Sequence, residues 1–260
     1  MMPNGSSPPP ATRAAFPYAG NVGHYRRFIR WTAVACATGT ATFLPLPSAL
    51  RSAFAVTAIV GVVAVAAMSL AMRRDWPRPA HASRAGWLGV AFIVAAIAFD
   101  ITATLHHSPT LDDEANPIAV ALLDNGAPLA WVIGLGGVAQ LALVLTLCML
   151  WLNFMHRRGD YLRWLHAGDP RTPLWMRLFG MRTASLANVL LGRDGEPGVQ
   201  VAAFGPYALA AAGYRFWLGL EWFGWVPLSR ALVPVGCLLA TFALVWCWVR
   251  RRLRGPGPAA

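Results

Sequence analysis

The sequence predicts an all-α protein, a polytopic bundle of six transmembrane helices with both termini in the cytoplasm. Three observations predict it. The 260 residues are 57% hydrophobic and only 13% charged, about half the charged fraction of an average soluble domain. The apolar residues are gathered into runs near the ~20 residues that a helix needs to cross the hydrocarbon core. The basic residues sit at the ends of those runs, where they set topology.

Residues 1–25 are rich in Pro, Ser and Gly and lack apolar periodicity, so they read as a disordered cytoplasmic tail. Arg26, Arg27 and Arg30 precede the first apolar run, a leader long for a secretory signal. Residues 26–155 hold four expected spans, over 28–46, 53–72, 86–105 and 128–152, with an outer polar loop at 106–127. The first span is the least apolar, with Thr32, Thr38, Thr40 and Thr42 inside it. Residues 156–200 form a cytoplasmic loop, and 173–191 within it reads as an amphipathic helix. Leu174, Trp175, Leu178 and Phe179 fall on one side of that helix and Arg171, Arg177 and Arg182 near the other. It would lie in the membrane interface or pack beneath the bundle. Residues 201–250 hold the last two spans, over 201–220 and 231–249, and 251–260 is a short cytoplasmic tail.

The arginines test this order independently. With the N-terminus inside, 19 of the 22 fall in the inner segments. Only Arg51 and Arg230 lie outside, and Arg215 lies within the fifth span. Without the first span, Arg26, Arg27 and Arg30 would be placed outside, so charge supports a span that hydropathy alone leaves weak.

The net charge of +11 comes with no lysine at all. Together with abundant Ala, Gly and Pro, this fits a GC-rich bacterial genome, and hence a bacterial inner membrane. Arginines placed at helix ends do not describe a nucleic-acid surface. The partner they imply is the bilayer, through anionic lipids on the cytoplasmic side. Cys36, Cys148, Cys237 and Cys247 all lie in apolar segments without a C-x-x-C pair. They read as small buried apolar groups, not as a disulfide framework or zinc ligands.

Chemistry concentrates at one place. Asp100, Thr104 and His107 are spaced i, i+4, i+7 and share one face of the third span. His106 adjoins them, and the loop continues through Asp112, Asp113, Glu114, Asn116 and Pro117. Asn116 can cap a short helix with Pro117 at its first position, and Gly126 can end it. An acid inside a span is costly and faces a partner or a cavity. Asp100 and Arg215 lie equally far from the inner ends of two spans that run in the same direction, which predicts an ion pair between them.

The pattern Asp100-x3-Thr104, with Glu114-x-Asn116-Pro117 nine residues after Leu105, resembles a family of small, uncharacterised prokaryotic membrane proteins with a D-x3-T … E-x-N-P signature. The likeness covers about 25 residues. It implies a polar cluster of Asp100, Thr104, Glu114 and Asn116 and implies no activity.

Three functions remain open on these residues. The cluster can hold helix ends together in a structural, binding or accessory protein. It can serve a membrane hydrolase, with His107, Asp113 and Glu114 as candidate metal ligands, although adjacent histidines on a helix point about 100° apart. No cofactor beyond such a metal is implied. A small-solute transporter would use Gln140 and Asn153, polar residues of the fourth span. Trp217, Trp222 and Trp225 read as an outer aromatic belt, and His81, His156 and His166 as exposed loop residues.

Overall fold

The long apolar runs become long helices in the computed structural model, which describes residues 22–73, 83–111, 116–169, 171–181, 185, 188, 195–224 and 232–254. Among the described residues the regular elements are all α-helices. They are α1 (Val22–Ala41), α2 (Ser48–Arg73), α3 (Arg84–His107), α4 (Pro117–Asp124), α5 (Leu129–Ala167), α6 (Leu174–Leu178), α7 (Pro197–Trp222) and α8 (Leu232–Arg254). Four of them, α2, α3, α5 and α8, are long and apolar enough to cross a membrane. Large apolar side chains such as Leu88, Leu141 and Leu244 are 69%, 73% and 71% exposed. A surface of this kind is an aggregation liability in water and is satisfied in lipid.

The helix ends sort into two layers. At one end, Tyr25, Phe28 and Ile29 of α1 pack with Met72 of α2 and Val201 of α7. Beside them, Phe154, Tyr161 and Leu165 of α5 pack with Val199 and Ala202 of α7 and Val249 of α8. This end carries Arg26, Arg27 and Arg30 of α1, Arg73 of α2 and Arg250 to Arg254 of α8. At the other end, Ala55 and Ile59 of α2 pack with Leu111, with Ala121 and Leu122 of α4 and with Val132 of α5.

Helix α7 is central, touching α1, α3, α5, α6 and α8. Twelve of its residues are buried, mostly Ala, Gly and Val, because small residues let neighbouring backbones approach. Ala208 and Ala212 lie in its seam with Ile93, Ala96 and Ile97 of α3. The neighbours of α7 are thus protein on most sides. Helix α8 is the opposite, with Val249 as its one buried residue.

The structure corrects the expected inner loop. Helix α5 does not stop near residue 152 but runs 39 residues, about 58 Å at the usual rise. Phe154, Tyr161 and Leu165 recur at helical spacing and face the core, so the periodicity continues where Arg157, Arg158, Asp160 and Arg163 end the hydrophobic run. Arg157, expected in a loop, is 1% exposed, with its guanidinium 5.8 Å from the Tyr25 ring centre. His156 and His166 are half-buried on this helix and are not free loop residues, while His81 lies outside the described residues.

The amphipathic helix expected over 173–191 is interrupted after Leu178; Asn188 is again helical, and 182–184, 186–187 and 189–191 lie outside the described residues. Helix α6 ends at Leu178, and Gly180 takes a left-handed φ of +59°, which terminates a helix at little cost for glycine. The Gly180 carbonyl then accepts from the Glu196 N–H at 2.9 Å and returns the chain to α7. Leu178 packs into the inner core, and its carbonyl accepts from the Tyr161 hydroxyl at 2.7 Å. Burial, and secondarily Tyr207, raises the Tyr161 phenol far above its ordinary range, so it donates as a neutral hydroxyl. Tyr161→Phe leaves that carbonyl unpaired in the core and is expected to lower stability by about 1–2 kcal/mol. Thermal unfolding in detergent measures it, and an unchanged midpoint would mean that the bond contributes nothing.

Of the cysteines, Cys148 is buried, whereas Cys36 and Cys247 are exposed. The expectation of four buried cysteines does not hold, because Cys36 and Cys247 lie on helix faces that no other part of the described protein covers. Trp217, expected in an interfacial belt, is 9% exposed within the bundle. Trp225 lies outside the described residues.

Candidate functional site

The C-terminal ends of α3 and α7 run side by side and bring the cluster together. Asp100 is 3% exposed, and one of its carboxylate oxygens lies 2.6 Å from an Arg215 guanidinium nitrogen. One turn on, the Trp222 indole N–H donates to Thr104 Oγ1 at 3.1 Å. At the end of α3, the His107 ring lies nearly parallel to Trp222, with centroids 6.0 Å apart, and meets Phe223 edge-on at 4.9 Å. His106 contacts His107 edge-on, with ring centroids 5.1 Å apart. Phe99 completes the seam against Phe216 and Phe223.

Two sequence features make this seam. Asp100 to His107 and Arg215 to Trp222 are both seven-residue separations, so two parallel helices present matching residues at matching heights. Gly219 stands opposite Phe99 and Asp100. A Cβ there would fall 2.6 Å from the Phe99 ring and 3.2 Å from the Asp100 Cα, so the missing side chain permits the close approach that a short ion pair needs.

Asn116 has a separate task. Its side chain accepts from the Ile118 N–H at 3.1 Å and caps α4, with Pro117 in the first turn. Gly126 follows the helix at φ +79°. Helix α4 is clamped to α2: Ser52 Oγ donates to the Ala121 carbonyl at 2.6 Å, and Arg51 pairs with Asp124 at 2.8 Å. Leu111, a non-glycine residue at φ +60°, is buried against α2, α4 and α5. Its docking holds the chain in a conformation that is otherwise unfavourable.

Asp112, Asp113 and Glu114 lie outside the described residues. Of the candidate metal ligands, only His107 is therefore placed. Among the described residues no group of three or more His, Cys, Asp or Glu side chains is arranged to hold a metal ion. Both rings that cover His107 are aromatic, which suits packing of an imidazole more than ligation. Gln140 Oε1 and both amide atoms of Asn153 are buried without a hydrogen-bond partner among the described residues. Asn153 is 2% exposed near the inner end and Gln140 is half-buried.

Sequence reasoning missed Trp222 as a member of the site, because a tryptophan near a span end reads as interfacial. The signal that finds it is its seven-residue separation from Arg215. Arg51 and Ser52 were also missed, since a clamp between sequence-distant helix ends leaves no local pattern. Comparisons with protein-family models, with curated proteins and with solved structures find no match.

Proposed function

We propose that this chain is a six-span protein of a bacterial inner membrane, with both termini in the cytoplasm, and that its outer cluster is a clasp between α3 and α7. The clasp fixes the outer face of the bundle, from which residues 106–127 are presented for a binding or accessory role. The observation that carries this reading is the buried Asp100–Arg215 pair. A carboxylate already neutralised by a guanidinium at contact distance is a poor general base and a poor metal ligand, but it joins two helices well in an apolar surrounding. Thr104 and Trp222 engage each other in the same seam. The same reading sets the arginine-bearing helix ends against the anionic inner leaflet.

The six crossings include α1 and α7. Helix α1 packs along α2, and Gly61 supports that contact: a Cβ there would fall 2.9 Å from the Ala35 Cβ. Helix α7 is held on several sides by protein. Both can cross a bilayer within the bundle without a strongly apolar surface of their own.

The absence of lysine makes the topology simple to test. A lysine introduced singly becomes the one side-chain amine in the chain. In spheroplasts, a membrane-impermeant amine reagent is expected to label Leu44→Lys and Thr110→Lys, and to label Arg171→Lys and Arg84→Lys only after permeabilisation. Protection of Leu44→Lys would remove α1 from the spans, and labelling of Arg171→Lys in sealed cells would invert the bundle.

A further inference from the structure

The inner ends of α3 and α5 do not close against each other. The Trp151 indole wedges between them, donating to the Gly86 carbonyl at 2.9 Å and lying where a Cβ on Gly89 would have to be. Beyond this wedge, toward the arginine-rich end, Ser83, Gly86 and Gly159 are too small to fill the gap. A cavity of about 280 Å³ remains, lined also by Leu152, His156 and Arg158.

Its chemistry is one-sided. Arg158 supplies a permanent cation, and no acidic side chain is among the described lining residues. The first turn of α3 forms one wall, with Ser83 as its cap, and the positive end of a 24-residue helix adds to the field there. Burial lowers the His156 pKa below its ordinary value, so the imidazole serves as a neutral hydrogen-bonding group beside the arginine. Gly159 is informative in another way. A glycine inside a helix is unfavourable by about 1 kcal/mol relative to alanine, yet no protein atom lies within 4 Å of where its Cβ would be. Its smallness therefore relieves no contact among the described residues, and it lines the cavity without a side chain.

We infer that this cavity binds a phosphate-bearing anion, with Arg158 as the charged contact and the cavity wall at Gly159 as the steric limit. Its level, at the inner ends of two spans, matches the phosphate of an anionic lipid headgroup. That assignment of level rests on the topology proposed above, whereas the binding chemistry does not. The mixed wall suits a phosphodiester: Leu152 meets the glycerol or acyl carbons, and the polar groups meet the phosphate.

The experiment uses the full chain purified in a nonionic detergent, where both ends are accessible and the outcome is independent of sidedness. Thermal unfolding is followed with added phosphatidylglycerol, phosphatidylcholine or inorganic phosphate. Phosphatidylglycerol is expected to raise the midpoint of the wild type, with phosphatidylcholine having little effect. Arg158→Gln is expected to weaken the binding about tenfold, the effect of losing one charge-assisted contact. Gly159→Leu places a branched side chain at the cavity wall, starting from a Cβ position with no described atom within 4 Å, so it should fold with an unliganded midpoint near the wild type and abolish the response. Arg251→Gln, a basic residue on α8 outside the cavity lining, should leave the response intact. A shift produced by inorganic phosphate alone assigns the site to a free phosphate, and a shift confined to the phospholipid assigns it to the headgroup. Undiminished responses in both Arg158→Gln and Gly159→Leu, or equal responses to the two phospholipids, would overturn the site. Failure of the lysine-labelling experiment would instead overturn the topology and leave this result standing.

Discussion

Asp100→Asn is expected to lower the stability of the protein in detergent by about 3 kcal/mol, the lower end of the range for breaking a buried ion pair. The carboxylate side chain is 5% exposed and that of its partner Arg215 is 21% exposed, so the substitution leaves a guanidinium partly buried with no counter-charge. The arginine can lean toward solvent, which keeps the loss from reaching the upper end. Arg215→Gln should cost a similar amount, because Asp100 must then either protonate or remain charged in an apolar seam. Asp100→Arg combined with Arg215→Asp should recover part of the loss. A double variant no more stable than either single variant would show that these residues act separately. Thermal unfolding of all four proteins in one detergent settles the comparison, and it also tests the proposed clasp.

Gly205→Ala is expected to be as damaging, although it adds one methyl group. At Gly205, α7 lies against α5 so closely that a Cβ would overlap the Phe154 Cβ and fall 2.9 Å from the Leu150 carbonyl oxygen. Neither is the tip of a flexible side chain, so the backbones must separate. Overpacking of this kind costs about 1–3 kcal/mol, occasionally more, and the top of that range applies where a backbone must shift. Gly213→Ala on the same helix is the control. Nothing lies within 4 Å of its Cβ position, and better helix propensity should stabilise it by about 0.5–1 kcal/mol. Equal midpoints for the two variants would mean that the α5–α7 crossing is looser than described.

Much of the fold is written in hydrophobic runs and their charged borders. Helix α3 begins at Arg84, α2 ends at Arg73 and α8 ends among Arg250 to Arg254, so each has one arginine-marked end, and the Asn116–Pro117 start of α4 is explicit in the residues themselves. The inner half of α5 was not readable that way. Its apolar face continues at helical spacing, but the charged residues between interrupt the run, and a reading based on hydropathy stops at the first of them. Helix α7 was legible as a span over 201–220, but its central place was not, because a run of small residues does not say which neighbours it faces. In the candidate site, the Asp100–Arg215 pair could be anticipated because depth along two parallel spans is a simple count. The Trp222 contribution was passed over because a tryptophan near a span end reads as interfacial, and its seven-residue separation from Arg215 gains meaning only once α3 and α7 are known to be neighbours. The loop acids of the resemblance lie outside the described residues and leave that part of the signature without geometry.

The length of α5 has a mechanical consequence. A membrane span usually passes into a loop at the interface, and the loop absorbs any change in the angle of the span. Here about 15 residues of helix continue past the expected interface, some 22 Å at the usual rise, and the described backbone contains no break between Leu129 and Ala167. On the proposed topology the helix therefore acts as a lever with its fulcrum in the bilayer. Spans adjust to bilayer thickness by tilting, and a tilt of about 10° would swing the inner tip by roughly 4 Å on that arm. The parts resting on the arm, α6 and the start of α7, would be carried along, so a change in membrane thickness arrives on the inner side as a displacement of packed surfaces.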